Sequence, residues 1–446
     1  MMLGYYGRLA LGRVRRSPSQ ALLMVLALGF GIGACVLMLT VYDAVSRNPL
    51  GSKGDRIFSV TIDSWGPDEP FDTDKPALPP PELTYQDSAA LLLSTVPTRK
   101  AAMVRTEDVI SATPGGVAIP IATRVTGADF FPMFDVPFLY GNGWQARHDE
   151  GAGEVIVLSR ALNQKLFGDV NSVGRTVFWD RKPMRVVGVL DTWDPLPKFY
   201  DLWEGAFSQP EDAYVPFGWV LARGRIPDGG AIGCWPEGPI GSLAQFLQSG
   251  CVVMQLWVEL DTPAAVQLMQ NYLDSYWADQ HKVGRFPRPR NNRITDVTQW
   301  LTDQRVVSDD NRVLVGVAVA FLVICLLNTG AVLLSQFLKQ AHSSSVRRAL
   351  GASRGQIFLQ HLVEAGLVAG AGGALGLILS TVSLFMVHAI FASASVGRSG
   401  YQQIMHVSVD SVVWTFVLSV LCTLAVGLYP AWRVGMIAPA SGLKED

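Results

Sequence analysis

Four long stretches of the chain are almost entirely apolar, and they cover residues 21–45, 313–338, 362–390 and 411–432. Each exceeds the roughly 20 residues that a helix needs to cross the hydrocarbon core of a bilayer. A helix of this length in a soluble protein would normally carry charged residues on its solvent-facing side. The pattern therefore predicts four transmembrane helices.

The chain between the first two apolar stretches, residues 46–310, has a different pattern. Apolar and polar residues alternate in short runs typical of strands, such as Ile57–Ile62. Another strand-like run, Glu154–Leu158, is followed by a helical run, Arg160–Phe167. The predicted fold class is therefore a membrane α-helical protein with four transmembrane helices and a large α+β domain inserted between helices 1 and 2.

Basic residues are concentrated beside some of the apolar stretches and are sparse beside others. In chain order these flanking residues are Arg8, Arg13, Arg15, Arg16, Lys339, Arg347, Arg348, Arg354, Arg398, Arg433 and Lys444. Because Lys and Arg accumulate in cytoplasmic loops, residues 1–20, the loop 339–361 and the C-terminus are predicted to be cytoplasmic. Residues 46–310 are predicted to lie outside the cytoplasm.

The composition supports a membrane protein. Charged residues make up 17% of the 446 residues and apolar residues 49%, whereas soluble domains average about 25% charged residues. The 36 basic and 38 acidic residues nearly balance, so no excess of positive charge favours nucleic acid as a partner. The local basic clusters are instead suited to contact with membrane lipid.

The five cysteines fall into two groups. Cys35, Cys325 and Cys422 lie inside apolar stretches, where a cysteine usually acts as a small packing residue. Cys234 and Cys251 lie in the inserted domain, and an oxidising compartment would favour a disulfide between them. Two buried free thiols are the alternative. No Cys-x-x-Cys motif or Cys/His cluster occurs in the sequence, so no metal site is predicted.

Motifs for catalysis or cofactor binding are absent from the sequence. It contains no G-x-x-x-x-G-K-[ST] loop for ATP, no H-E-x-x-H metal motif and no G-x-S-x-G nucleophile motif. The sequence therefore predicts a chain that is not an enzyme, with no catalytic residues and no cofactor of its own.

Two pairs of glycines lie within the apolar stretches: Gly29 with Gly33, and Gly372 with Gly376. A dinucleotide-binding loop would stand between a strand and a helix, and these glycines stand inside apolar stretches instead. Small residues at this spacing allow helices to approach closely within a membrane. The four glycines are therefore predicted to form helix-packing faces.

Residues 193–250 are rich in proline, glycine and tryptophan, and their tryptophans are Trp193, Trp203, Trp219 and Trp235. One interpretation is a loop-rich region that uses tryptophan rings for packing, because these rings bury a large apolar area. The alternative is a surface for an apolar or peptidic ligand, or for a partner protein.

The loop 339–361 carries the most specific local pattern. Its basic run Val346–Leu350 ends at Gly351, a residue suited to the left-handed conformation that ends many helices. Ser353 and Gln356 have the spacing of a capping box for the next helix. These features predict a tight, basic turn between two helices, which would either anchor on anionic lipid or dock a cytoplasmic protein.

This loop and several other segments resemble the MacB/FtsX-like permeases of ABC transporters. The loop segment is Val346–Ile357, and Gly427–Arg433 resembles the C-terminal signature of that family. Segments of the inserted domain that resemble the MacB periplasmic core are Val125–Phe131, Val155–Ser159, Leu166–Gly168, Val173–Arg175, Arg185–Val189 and Tyr214–Phe217. Taken in order, the similar segments extend over nearly the whole chain.

The resemblance implies a MacB-like periplasmic core domain over residues 46–310 and an FtsX-like permease domain over residues 311–446. It implies that ATP and Mg²⁺ are bound by a separate cytoplasmic ABC ATPase subunit, to which the loop couples the membrane helices. The coupling role is assigned to Ser345, Val346, Arg347, Arg348, Ala349, Leu350, Gly351, Ala352 and Ser353. A second permease protomer is also implied, which would make a homodimer or a heterodimer.

The function implied is ATP-driven movement of the periplasmic domain that exports a peptide, antibiotic or lipid-like substrate. The implied location is the bacterial inner membrane, with both termini in the cytoplasm, and the further partners are a periplasmic adaptor and an outer-membrane channel. Lipoprotein extraction by a LolC- or LolE-like permease is one alternative. Others are FtsX-like signalling to a periplasmic cell-wall hydrolase, and a membrane-anchored sensor without an ATPase.

The chain departs from the family pattern at Ser343–Ser345, where family members often carry an acid and a glycine before the Arg-Arg pair. The tail Ala440–Lys444 also lacks the usual Val-Glu-Ala-Leu run. Both departures favour the divergent half of a heterodimer.

Overall fold

The structure is a computed structural model. It describes residues 12, 17–46, 48–226, 233–236, 238, 240–306, 309–339, 346–347, 350–394, 417–418, 421–422, 427–428 and 432. The chain divides into two compact units, which we name the helical unit, residues 1–45 and 307–446, and the sheet unit, residues 46–306. Each unit has its own buried apolar clusters.

Helices and strands alternate through the sheet unit, and long helices dominate the helical unit. In the described part of the chain the helices are α1 (Pro18–Ser46), α2 (Tyr85–Leu91), α3 (Phe130–Met133), α4 (Ala146–Glu150), α5 (Arg160–Phe167), α6 (Phe217–Ala222), α7 (Leu243–Gln248), α8 (Pro263–Lys282), α9 (Val297–Asp303), α10 (Asp309–Lys339) and α11 (Arg354–Ala394). The strands are β1 (Ile57–Thr61), β2 (Leu83–Thr84), β3 (Arg99–Ser111), β4 (Ile119–Thr126), β5 (Phe138–Gly141), β6 (Val155–Leu158), β7 (Thr176–Trp179), β8 (Lys182–Leu190), β9 (Ala213–Pro216), β10 (Gly233–Cys234), β11 (Cys251–Glu259) and β12 (Arg293–Asp296).

The strands form one mixed sheet in the order β12–β1–β11–β3–β4–β9–β6–β8–β5. Strands β2 and β10 lie beside β11, and β7 pairs with both β3 and β8. The β4–β9 and β6–β8 pairs are parallel. Strands β1 and β12 pair with Phe58 opposite Asp296, so the chain enters and leaves this unit on neighbouring strands.

Side-chain caps set the starts of several helices in the sheet unit. Thr84 Oγ1 accepts a hydrogen bond from the Asp87 backbone N–H at 3.2 Å. Thr262 Oγ1 accepts one from Ala265 at 3.1 Å, and Ser159 caps α5 in the same way. These bonds satisfy N–H groups that have no partner within the helix.

The sheet has buried side chains on both faces. Strand β11 illustrates this, because all nine of its residues are buried. Val258 belongs to one apolar cluster, while Trp257 belongs to a second cluster that is rich in aromatic rings. A strand that is covered on both sides is expected to be apolar along its whole length rather than alternating.

Three helices of the described residues are long and apolar enough to cross a membrane. They contain the candidate spans Pro18–Asp43, Arg312–Lys339 and Arg354–Met386. The fourth predicted stretch, 411–432, falls mostly outside the described residues. So do most of the charges that predict the orientation: Arg8, Arg13, Arg15, Arg16, Arg348, Arg398, Arg433 and Lys444.

Helix α11 begins at Arg354, directly after the capping box that the sequence predicts at Ser353 and Gln356. It therefore contains the last residues of the loop predicted over 339–361 as well as the third apolar stretch, 362–390. The first compact unit resumes after Val306, close to the predicted domain boundary at residue 310.

Candidate functional site

Helices α1 and α11 meet at the four glycines that the sequence singles out. A Cβ atom on Gly33 would lie 3.1 Å from the carbonyl oxygen of Gly376. One on Gly376 would lie 3.0 Å from the Cβ atom of Ile32. A Cβ atom on Gly29 or on Gly372 would lie 2.7 Å from a leucine side chain of the facing helix. The two backbones thus approach more closely than larger residues would permit.

Helix α10 packs against α1 through apolar side chains and small residues. One buried cluster consists of Met24, Leu28, Leu333, Phe337, Ala365, Val368 and Ala369, and another of Ile32, Cys35, Val36, Leu322 and Cys422. Cys35, Cys325 and Cys422 are free and buried, which fits the packing role expected of cysteines in apolar helices. Helix α1 is therefore in contact with both other long helices.

The predicted coupling residues are partly described. Val346 and Arg347 are helical, and the Ala352 N–H donates to the Arg347 carbonyl at 3.0 Å. Gly351 has a φ of 104°, a conformation that costs glycine little. Ser345, Arg348 and Ala349 lie outside the described residues. The described residues thus form a helical turn that ends at Gly351.

A capping box connects this turn to α11. The Ser353 N–H donates to Gln356 Oε1 at 2.9 Å, and the Gln356 N–H donates to Ser353 Oγ at 3.2 Å. Both bonds of the predicted box are present. A further bond, from Arg347 Nη1 to Gln360 Oε1 at 3.0 Å, joins the turn to the first part of the helix. Leu350 is 84% exposed at the end of the turn.

Two buried ionisable residues follow on the same helix. His361 Nδ1 lies 3.7 Å from Glu364 Oε2. The imidazole ring packs on Phe337 of α10, with 4.2 Å between the ring centroids. A polar pair at the start of an apolar helix is therefore held against the neighbouring helix.

Cys234 and Cys251 are joined by a disulfide in the sheet unit. The two residues are opposite one another in the β10–β11 pair. They are separated by 17 positions, and the bond links the end of the tryptophan-rich region to the central strand β11. A disulfide that closes a loop of this size stabilises the folded state by about 3 kcal/mol, because it lowers the conformational entropy of the unfolded chain.

Thiol counting tests this bond. Denatured, unreduced protein is expected to expose three reactive thiols, those of Cys35, Cys325 and Cys422. After reduction, all five cysteines should react. Five reactive thiols without reduction, in protein isolated under oxidising conditions, would contradict the disulfide. The Cys35→Ser variant serves as a control, since its count should fall by one in both states.

The tryptophans of residues 193–250 have different environments. Trp193 stacks on Tyr200 with the ring centroids 5.3 Å apart, and Trp219 packs edge-on against Trp179 at 4.9 Å. These two rings serve packing, as one interpretation of the sequence expects. Trp203 is 53% exposed, so it is available for contact with another molecule.

A buried ionic cluster lies beneath this region. Arg124 of β4 is fully buried and forms ion pairs with Asp201 and Glu211. Lys198 Nζ donates to Glu211 Oε1 at 2.8 Å, and the Tyr200 hydroxyl donates to Glu211 Oε2 at 2.9 Å. Two positive and two negative charges are thus balanced inside the sheet unit.

The electrostatics of this cluster favour its charged state. Burial alone would raise the pKa of Glu211, but Arg124 and Lys198 hold it well below its usual range. Burial likewise opposes ionisation of Asp201, and the same two cations lower the pKa of that carboxyl. The cluster was not predicted, because Arg124 is far in sequence from the other members and the residues form no motif.

Comparison with known families covers both units. The model of the MacB-like periplasmic core domain matches residues 21–276, and the model of the FtsX-like permease C-terminal region matches residues 315–439. The periplasmic-domain match alone spans more than half of the chain.

Among the described residues, no group of three or more His, Cys, Asp or Glu side chains could hold a metal ion.

Curated relatives carry the name macrolide export ATP-binding/permease protein MacB. The protein from Escherichia coli (strain K12) is 23% identical over 434 residues, which cover 96% of this chain and 58% of that protein. The one from Vibrio parahaemolyticus is 22% identical over 320 residues, or 72% of this chain and 42% of the relative. The chain spans about half the length of the curated relatives it matches.

A crystal structure of the periplasmic region of MacB from Actinobacillus actinomycetemcomitans is also similar. The two chains are 14% identical, and the similar region covers 57% of this chain and 94% of the crystallised chain, with a TM-score of 0.36. The family assignment rests on the two matching models and on the apolar helices, which fit a membrane permease. The chain belongs to the MacB/FtsX-like family of ABC transporter permeases.

Proposed function

We propose that this chain is the permease subunit of a MacB-type ABC transporter whose ATPase is a separate cytoplasmic subunit. That partner binds ATP and Mg²⁺, and this chain converts ATP hydrolysis into movement of its periplasmic domain. The movement exports a peptide, antibiotic or lipid-like substrate from the periplasm. The chain spans the bacterial inner membrane four times with both termini in the cytoplasm, and it pairs with a second permease protomer.

The observation that carries the proposal is the exposed turn between Val346 and Ser353. Leu350 projects into solvent at 84% exposure, and an exposed aliphatic side chain can serve as an anchor in a pocket of a partner protein. The capping box and the Arg347–Gln360 bond join the turn to α11. A displacement of the turn would therefore move the start of the helix with it.

The close helix contact supports transmission of that displacement. Helix α11 touches α1 through glycines, where steric contact leaves little freedom to slide. Helix α1 ends at Ser46, where the sheet unit begins. The proposed path of coupling thus runs from the turn through α11 and α1 to the chain that enters the periplasmic domain. An adaptor and an outer-membrane channel would complete the route of export.

Charge reversal at Arg347 and Arg348 tests the coupling role. The double substitution Arg347→Glu and Arg348→Glu is expected to abolish co-purification of the ATPase and its stimulation, with the melting temperature of the chain unchanged. Leu350→Asp should also abolish co-purification and stimulation without lowering the melting temperature, because the Leu350 side chain is exposed among the described residues. The assay uses tagged full-length protein solubilised in mild detergent, with identification of all retained proteins.

Gln360→Ala is the matched control, since it removes the internal bond to Arg347 and leaves the exposed turn intact. It should retain the ATPase. If both the charge-reversal variant and Leu350→Asp keep full stimulation, the docking assignment is wrong. An adaptor retained with the ATPase would support export, whereas a retained cell-wall hydrolase would favour signalling.

A further inference from the structure

The sheet unit contains a cavity of about 410 Å³, within the roughly 300–1,000 Å³ range of small-molecule sites. Aromatic rings form much of its wall. Trp203 is the exposed one, and Phe71 and Phe207 are partly buried near it. Tyr200 and Trp300 are buried and close the deeper part. The cavity is therefore largely apolar and open to solvent.

One polar group in this cavity wall lacks a hydrogen-bond partner. Glu82 is only 3% exposed, and its Oε1 accepts a hydrogen bond from Gln255 Nε2. Its Oε2 has no hydrogen-bond partner. Buried carboxylate oxygens are nearly always paired, and leaving one unpaired costs free energy. Glu82 thus has an unused site for a donor.

The neighbouring cations do not supply that donor. Arg124 pairs with Asp201 and Glu211, and Lys198 also pairs with Glu211. Burial raises the pKa of Glu82 well above its usual value, and the negative charge of Asp201 raises it further. Together these effects favour the protonated form of Glu82.

The basic residues at the cavity mouth are also engaged. Lys75 Nζ lies 3.2 Å from Gln304 Oε1 and 3.7 Å from Asp72 Oδ2. Arg305 Nη2 donates to the carbonyl oxygen of Asp74 at 2.8 Å. Neither cation forms an ion pair with Glu82, and no other cation in the described part of the chain does so.

We propose that this cavity binds a small amphipathic organic amine, with its ammonium group paired to Glu82 and its apolar body against the aromatic wall. The ammonium replaces the proton on Glu82, which leaves to solvent, and the net charge of the cavity is unchanged. Aromatic faces attract cations in addition to burying apolar surface. The proposal concerns binding by the sheet unit and does not depend on coupling to an ATPase.

Three probes that differ only in their polar end group test the proposal. They are phenylbutylamine, phenylbutanol and phenylbutyrate, each titrated by calorimetry into full-length protein in nanodiscs, with titrations into empty nanodiscs subtracted. The amine should bind at least about tenfold more tightly than the alcohol, in keeping with a charge-assisted hydrogen bond. The carboxylate should bind most weakly, because it would face Glu82 and Asp201.

Variants then assign the effect to Glu82. Glu82→Gln keeps an acceptor for Gln255, and it should weaken amine binding by about tenfold or more while alcohol binding changes by less than about twofold. Trp203→Ala should weaken the amine and the alcohol to a similar extent. Glu150→Gln, an exposed position on α4, is the matched control and should change neither affinity.

Equal affinities of wild-type protein for the amine and the alcohol would overturn the proposal. So would unchanged amine binding by Glu82→Gln, or an amine dissociation constant weaker than about 1 mM in wild-type protein. Should Glu82→Gln fail to fold, the probe series with wild-type protein and Trp203→Ala still decides the question.

Discussion

Replacing Arg124 with methionine is expected to lower the free energy of unfolding of the sheet unit by about 3–5 kcal/mol. The substitution removes the shared partner of Asp201 and Glu211, both of which are buried. Two carboxylates would then remain inside the protein with Lys198 as their nearest cation. Since domains are typically stable by about 5–15 kcal/mol, this loss would remove a large share of the stability of the sheet unit.

Urea denaturation of the full-length protein, followed by tryptophan fluorescence, measures this effect. The signal reports the sheet unit, because all tryptophans except Trp414 and Trp432 lie within residues 46–306. Arg290→Met is the control: Arg290 is exposed and pairs with Asp274 at 2.8 Å, and such surface pairs contribute about 0–1 kcal/mol. A loss in Arg124→Met no larger than that of the control would contradict the structural role of the cluster.

Replacing Gly376 with isoleucine is expected to disrupt the contact between α1 and α11. A Cβ atom there would lie 3.0 Å from Ile32 Cβ and 3.1 Å from the carbonyl oxygen of Gly29. Because the backbone of α1 cannot yield as a flexible side chain would, the helices must separate. Overpacking of this kind costs about 1–3 kcal/mol or more, and a marked fall in the melting temperature of the solubilised protein is expected.

Gly370→Ile is the matched control on the same helix, because among the described residues nothing lies within 4 Å of a Cβ atom at Gly370. Both variants gain the same side chain and the same change in helix propensity. The melting temperature, measured by size-exclusion chromatography of heated samples in detergent, should fall in Gly376→Ile and change little in Gly370→Ile. Equal changes would mean that the glycine contact does not hold the helices together.

The features that could be predicted from the sequence have local causes. An apolar run long enough for a bilayer, a threonine three residues before its hydrogen-bond donor, and a serine–glutamine capping box each act within a few residues. Helices α1 and α10, the caps at Thr84 and Thr262, and the box at Ser353 therefore follow from short windows of sequence.

Strand β3 shows why other features were missed. Charged residues interrupt its apolar pattern, so the sequence gives no clear alternation over Arg99–Ser111. In the fold, Arg105 pairs with Glu204 and Asp108 with Arg225. These partners are distant in sequence, and only the tertiary structure makes the charges compatible with a central strand.

The amine-binding cavity has the same origin. Glu82 and Gln255 are far apart along the chain and meet because β2 pairs with β11 in the sheet. The rings of Trp203 and Phe71 come from two separate loops. The sequence suggested a ligand surface within residues 193–250, but neither the carboxylate nor the boundary of the cavity could be predicted.

The pairing of β1 with β12 has a consequence for how such a protein can evolve. Phe58 and Asp296 lie opposite each other in this antiparallel pair. The more than two hundred residues between them therefore begin and end at positions about 5 Å apart. A tight connection of that span could replace the chain between these two strands. Most of the sheet unit is thus an insertion that can be exchanged, enlarged or rebuilt for a new ligand by changes confined to the residues between β1 and β12.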